Sequence, residues 1–132
     1  MRTPCPTLAI LAGAVLAAGA VAWQAGIRAV DGDTVDAAFT RWRLVGLDTP
    51  ETGGRAKCPQ ERARGREAAA RLHTLARSGK AVLVPTWPPW RGDKYGRRLA
   101  QLLVDGKDAG AILIAEGLAR PYAGGRRGSW CP

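Results

Sequence analysis

Five of the 11 acidic residues fall between Asp31 and Glu51, in a chain whose formal charge is +9. In so basic a protein, this cluster is the feature best suited to chemistry. Asp31, Asp33 and Asp48 stand at the ends of predicted strands, with turns at both places. Two carboxylates converging there, with a backbone carbonyl, suit a hard divalent cation whose shell water completes. Like charges held close repel, so a cation or an arginine must keep them ionised. Three readings of Asp31-Gly32-Asp33-Thr34 compete. An EF-hand loop fails, because its last ligand position would be Trp42 rather than Glu. The aspartate pair of a doubly wound phosphate-transferring enzyme needs a longer chain and an alternating strand–helix pattern that is absent. A plain Asp-Gly hairpin turn is the third reading, and the one this segment favours when taken alone.

The elements that must carry these groups follow from periodicity and turn residues. Gln24–Val30 predicts a strand, and Asp31–Thr34 a tight turn in which Gly32 supplies backbone freedom. Val35–Phe39 and Arg41–Leu47 predict two more strands, and Pro50 ends the ladder. Thr52–Pro59 is a basic, Gly-containing loop. Arg62–Ser78 predicts a helix, with Ala68, Ala69, Leu72, Leu75 and Ala76 at helical spacing and Gly79 as its stop. Ala81–Thr86 predicts a strand halted by Pro88-Pro89, Arg91–Arg97 a polar turn, and Leu99–Val104 another strand. Asp108–Glu116 predicts a second helix ended by Gly117, and Ala123–Pro132 is irregular. That order predicts an α+β fold: an OB-fold, a five-stranded β-barrel with one helix between strands three and four and a second helix after the last strand.

The 132 residues leave room for one domain. With 20 Lys+Arg against 11 Asp+Glu, the chain is neither an acidic tail protein nor an acidic calcium buffer, and a polyanion partner is the first expectation. The alternative is genomic base composition, since most of the basic residues are Arg. A hydrophobic content of 46% argues against disorder. Arg2 precedes an apolar run from Leu8 to Trp23, with small residues at Ala20 and Ala22. Residues 1–22 therefore read as a signal peptide or membrane anchor, and residues 23–132 as the domain. The expected location is periplasmic or secreted, or anchored to the membrane through residues 8–23. Cys5 precedes the apolar run, which argues against lipid attachment. Removing it leaves Cys58 and Cys131, an even number that an oxidising compartment allows to bridge. Free thiols or a metal pair are the alternatives, although two cysteines without a paired histidine make a poor zinc site. His73, the only histidine, falls mid-helix and reads as a surface or packing residue.

Four segments recur in one order: Val30-Asp31-Gly32-Asp33-Thr34-Val35, Trp42 to Glu51, Asp93-Lys94-Tyr95-Gly96-Arg97-Arg98-Leu99-Ala100, and Gly117-Leu118-Ala119 with Tyr122. In order and spacing the chain resembles the staphylococcal-nuclease (thermonuclease) family, a TNase-like domain, from roughly Gly26 to Tyr122. The resemblance implies calcium-dependent hydrolysis of phosphodiester bonds in DNA and RNA, leaving 3′-phosphate ends. Asp33 and Asp48 would be side-chain ligands of Ca²⁺, with the carbonyl of Thr49 a third protein oxygen and Asp31 an outer-shell carboxylate. Glu51 would orient or deprotonate the attacking water. Arg43 and Arg97 would grip the scissile phosphate, and Lys94, Tyr95 and Tyr122 would line the nucleotide site. Planar guanidiniums suit that task, because they donate paired hydrogen bonds to phosphate oxygens. Isolated, such arginines would be surface ion pairs worth about 1 kcal/mol or less.

The sequence also departs from the family pattern. It ends soon after Tyr122, so the C-terminal helix of the family is missing or reduced, and a Cys58–Cys131 bridge is expected to hold the shortened end. Closing roughly 70 residues, that bridge would stabilise by about 4 kcal/mol. Trp87, Trp90 and Trp130 are available to stack on bases, with packing or lid roles the plainer expectation. The substrate expected is DNA and RNA with little sequence specificity, and the expected state is a monomer. A non-catalytic nucleic-acid-binding OB module and an anchored envelope interaction protein are the alternatives.

Overall fold

The computed structural model describes residues 26–132; the leader expected over residues 1–22 lies outside the described residues. Strands β1 (Arg28–Asp31), β2 (Thr34–Ala37) and β3 (Thr40–Leu44) form an antiparallel meander, with Ala29 opposite Val35 and Val35 opposite Trp42. Its buried side is apolar, from Val35, Ala37, Trp42 and Leu44. Ala38 and Phe39 make the turn between β2 and β3, both at positive φ (51° and 59°). Such a turn usually selects Asn-Gly, which is why the sequence hardly announces it.

The strand expected over Arg41–Leu47 is divided. Gly46 takes a φ of +86°, and the chain turns into β4 (Leu47–Asp48), which pairs with β8 (Arg120–Pro121) instead of extending β3. Helix α1 (Pro59–Ala76) starts three residues before the periodicity suggests. Cys58 caps it by accepting from the Glu61 amide at 3.4 Å, and Pro59 occupies the first turn, where a missing N–H costs nothing. Strands β5 (Ala81–Pro85) and β6 (Arg98–Val104) are antiparallel, and β6 also runs parallel to β3, pairing Arg43 with Leu99. Strand β7 (Lys107–Asp108) leads into α2 (Ala109–Ala115), capped by the Asp108 carboxylate on the Gly110 amide at 3.2 Å.

The main sheet runs β1-β2-β3-β6-β5. It is open: β5 and β1 do not pair, so the closed five-stranded barrel of the sequence reading is not formed. Helix α1 packs over β1, and the redirected β4 leaves for its own two-stranded pair. Inside lie Val35, Leu44, Leu47, Leu72, Leu83, Leu102 and Leu113, each at most 2% exposed. Among the described residues, no helix is long and apolar enough to cross a membrane.

Candidate active site

Two glycines let separate segments meet above α1. Gly32 is not among the glycines at positive φ, so the turn does not need its conformational freedom, contrary to the sequence reading. It needs its size. A Cβ there would stand 2.8 Å from Thr49 Oγ1 and 2.9 Å from the Ala68 methyl. The β1–β2 turn carrying Asp31 and Asp33 thus lies directly on Thr49. Gly65 of α1 does the same for the next loop, since a Cβ there would come within 2.5 Å of the Glu51 carbonyl oxygen. Buried Glu61 fixes that loop from below. Its carboxylate accepts from the Lys57 amide at 2.7 Å and the Glu51 amide at 3.4 Å.

Both expected arginines are tied to Asp33. Arg97 is held by Asp93, whose Oδ2 accepts from Nε at 2.7 Å and lies 2.7 Å from Nη2. Arg97 Nη1 also reaches Thr34 Oγ1 at 3.5 Å, and that hydroxyl donates to Asp33 Oδ1 at 2.9 Å. Arg43 is buried; its Nη2 lies 3.4 Å from Asp33 Oδ2 and donates to the Leu47 carbonyl at 2.8 Å, while Nη1 donates to the Leu44 carbonyl. A guanidinium has five N–H donors, so Arg43 keeps others for a ligand.

Asp48 is 4% exposed. Its Oδ2 accepts from the Trp130 indole N–H at 3.0 Å. Its Oδ1 is buried without a hydrogen-bond partner, and Arg127 Nε stands off at 3.5 Å. Orphaned buried acceptors are costly and rare, and a buried carboxylate oxygen of this kind is what a hard cation takes. The donor chemistry of Asp48 therefore fits a hard cation. Burial, and then the charge of Asp33 beside it, raise the Asp31 carboxyl to about 6. Asp31, Asp33 and Asp48 do not form a three-carboxylate cage. Among the described residues, the one set of three Cys, His, Asp or Glu ligand atoms lying within 4.8 Å of one another is Cys58, Glu61 and Cys131. The two sulfurs there are within bonding distance of each other, with Cα atoms 6.0 Å apart, the spacing of a disulfide-bonded pair.

Two clefts open over this network. One, of about 810 Å³, is lined by Asp48, Thr49, Glu51, Arg127 and Trp130 among others. The second, of about 650 Å³, collects Arg43, Lys94, Tyr95, Arg97 and Tyr122. The sequence-predicted residues thus fall into two neighbouring groups, with buried Asp33 lining neither cleft. Tyr95 is 66% exposed, with the Arg97 guanidinium 5.3 Å from its ring centre. Arg127, which lines both clefts, was not singled out in the sequence. Neither were Asp93 and Glu61, which position Arg97 and the Glu51 loop. Asp93 had a local signal, four residues before Arg97 across a glycine turn. Arg127 had none, because its run of Gly and Arg has no period.

This arrangement sets anionic groups that suit a cation beside guanidiniums that suit an anion, with an aromatic-walled cleft adjoining. The chain is 42% identical over 97 residues to the SPbeta prophage-derived endonuclease YokF of Bacillus subtilis (strain 168), covering 70% of this chain and 32% of that protein. It is likewise 42% identical over 99 residues to the Endonuclease YncB of the same organism, covering 70% of this chain and 44% of that protein. The chain therefore matches less than half the length of these relatives. The sequence model described as "Staphylococcal nuclease homologue" matches residues 41–128, a span that takes in Arg43, Asp48, Glu51, Arg97 and Arg127 and begins after Asp33. With two thirds of its length inside that match, the chain belongs to the staphylococcal nuclease homologue family.

Proposed function

We propose that this chain is an exported, calcium-dependent nuclease that hydrolyses phosphodiester bonds of DNA and RNA to 3′-phosphate ends, with little sequence preference. The observation that carries the reading is the buried, partnerless Oδ1 of Asp48, at the wall of a cleft that Arg127 shares with the Arg43–Arg97 cleft. Asp33, Asp48 and the Thr49 carbonyl would hold the ion, with Asp31 behind them. When bound, Ca²⁺ would neutralise charge on the phosphate and on its transition state.

The chain's own groups supply the rest. Arg97, pre-oriented by Asp93, donates to the non-bridging oxygens, and Arg43 donates from the cleft floor with the N–H groups its carbonyl partners leave over. Such fixed donors act where charge develops and need no reorganisation as the bond breaks. Glu51 is partly exposed in the cation cleft, so it can hold the attacking water and take up its proton. Lys94, Tyr95 and Tyr122 offer a cation and two ring faces to the adjoining nucleotide. Export rests on residues 1–22, and a Cys58–Cys131 bridge suits an oxidising compartment. The two homologues named endonucleases support the reaction class.

The test is degradation of DNA and RNA by the wild type, Glu51→Ala and Arg43→Ala, with calcium and with chelator. Calcium-dependent cleavage in the wild type and loss of at least a hundredfold in each variant is expected. Equal activity in all three would show the site assignment to be wrong. Binding without calcium-dependent cleavage would instead mark a non-catalytic module.

A further inference from the structure

We infer that Arg127 is a third guanidinium that binds substrate, donating to a phosphodiester where the two clefts meet; the inference rests on the nuclease reading above. Among the described residues, Arg127 is the one arginine that lines both clefts. Its contacts are long: Nε lies 3.5 Å from Asp48 Oδ1, and Nη1 3.5 Å from Glu51 Oε1. The Arg97–Asp93 and Arg71–Glu116 pairs are shorter, at 2.7 Å each. A fork with five donors is therefore mostly unspent. Its side chain is 39% exposed, whereas that of Arg43 is 8% exposed.

The segment around Arg127 is built to stay in place. On one side, the Tyr122 amide donates to the Gly46 carbonyl at 3.0 Å and the Tyr122 hydroxyl to the Gly125 carbonyl at 2.7 Å. Gly124 and Gly125, at φ values of +101° and +86°, allow the reversal between. On the other side, Arg120 donates to the Ser129 carbonyl at 2.7 Å and its guanidinium lies 3.6 Å over the Trp130 ring. Trp130 in turn donates to Asp48. The tail thus forms a wall of the site, and the residue it presents between the clefts carries the charge and the planar fork that a phosphodiester takes.

The experiment is binding of a short fluorescein-labelled single-stranded DNA to the full chain in chelator, followed by anisotropy over a potassium chloride series. Each lost phosphate contact lowers the slope of log K against log salt by about 0.7 for single strands. Arg127→Ala should lose about 0.7 in slope and about tenfold in affinity at low salt. Arg127→Gln is the second variant, should alanine fail to fold. Arg127→Lys should keep the slope and lose part of the affinity, because the charge remains without the fork. Arg66→Ala removes an exposed charge of α1 outside both clefts and should leave the slope unchanged. An unchanged slope in Arg127→Ala, or an equal loss in Arg66→Ala, would overturn the inference and leave the nuclease reading standing. A selective loss at Arg127 in a chain that does not cleave DNA with calcium would overturn the nuclease reading and leave the contact.

Discussion

Arg97 can act on a phosphate only if something keeps its fork from wandering, and Asp93 is that group. Burial pushes the Asp93 carboxyl up, but the hydrogen bonds from the Arg97 guanidinium and from the amides of Arg97 and Tyr95 outweigh it and hold the carboxyl below the usual range. Asp93→Asn should therefore lower kcat on DNA by about tenfold or more, through a loosened rather than a missing guanidinium. Arg97→Ala should cost about 3 kcal/mol of transition-state stabilisation, and Arg97→Lys should recover little of it, because an ammonium cannot donate as a planar fork. Initial rates at saturating DNA would decide; full activity in Asp93→Asn would show that Arg97 needs no holder. Much of the site was legible at this scale. Asp33, Asp48, Arg43 and Arg97 stand in short local patterns; Asp48 lines one cleft, Arg43 and Arg97 the other, and Asp33 is buried behind them. Arg127 was not legible, because its importance comes from a fold-back of the tail that no local pattern encodes.

Elements position these groups through close approach, and close approach is poorly written in sequence. The strands of the meander showed through alternation, and α1 through its Ala and Leu spacing. The break at Gly46 and the early start of α1 did not, because one is a turn inside an apolar run and the other depends on a sulfur cap. Gly65 is the clearest case. In a helix interior, Gly→Ala normally stabilises by about 1 kcal/mol. Here the new methyl would meet the Glu51 carbonyl at 2.5 Å, and backbone on a loop pinned by Glu61 has little room to yield. Overpacking of about 1–3 kcal/mol should exceed the helical gain, so Gly65→Ala should lower Tm. Because the displaced loop carries Glu51, the fall in kcat should exceed what any unfolded fraction explains. Thermal melts and rates on the same sample would test this, and a raised Tm with full activity would contradict it.

Across the whole molecule, distant parts are tied by a few cross-links. Cys58 and Cys131 are 73 residues apart in sequence. A bridge over a loop of that size should stabilise by about 4 kcal/mol, so reduction should lower Tm by many degrees and loosen the tail that carries Arg127 and Trp130. An unchanged melt after reduction would mean that the end is held by Trp130 and Arg120 alone.

Charge makes a separate claim on stability. The hydrogen bonds from Arg41 hold the Asp36 carboxyl below its ordinary value against slight burial, and Arg28 adds to them. Arg71 does the same for Glu116, joining α1 to the end of α2, as Arg97 does for Asp93. A carboxylate whose folded pKa lies below its unfolded value favours the folded state at every pH above the unfolded value, near 4. That contribution is lost as pH falls through the folded pKa, when the native state must at last take up the proton. Stability should therefore decline from about pH 4 downward. The side chains of Asp36 and Asp93 are only partly exposed, but the Asp36 partners Arg28 and Arg41 are largely in solvent, so the Asp36 cluster should add about 1 kcal/mol or less. Asp36→Asn should lower Tm at pH 7 and flatten the acid limb, while salt, which screens exposed pairs, should shrink the difference from wild type. Melts of both proteins from pH 7 to pH 3 would show it. Parallel curves would mean that the Arg28–Asp36–Arg41 cluster contributes nothing to the fold.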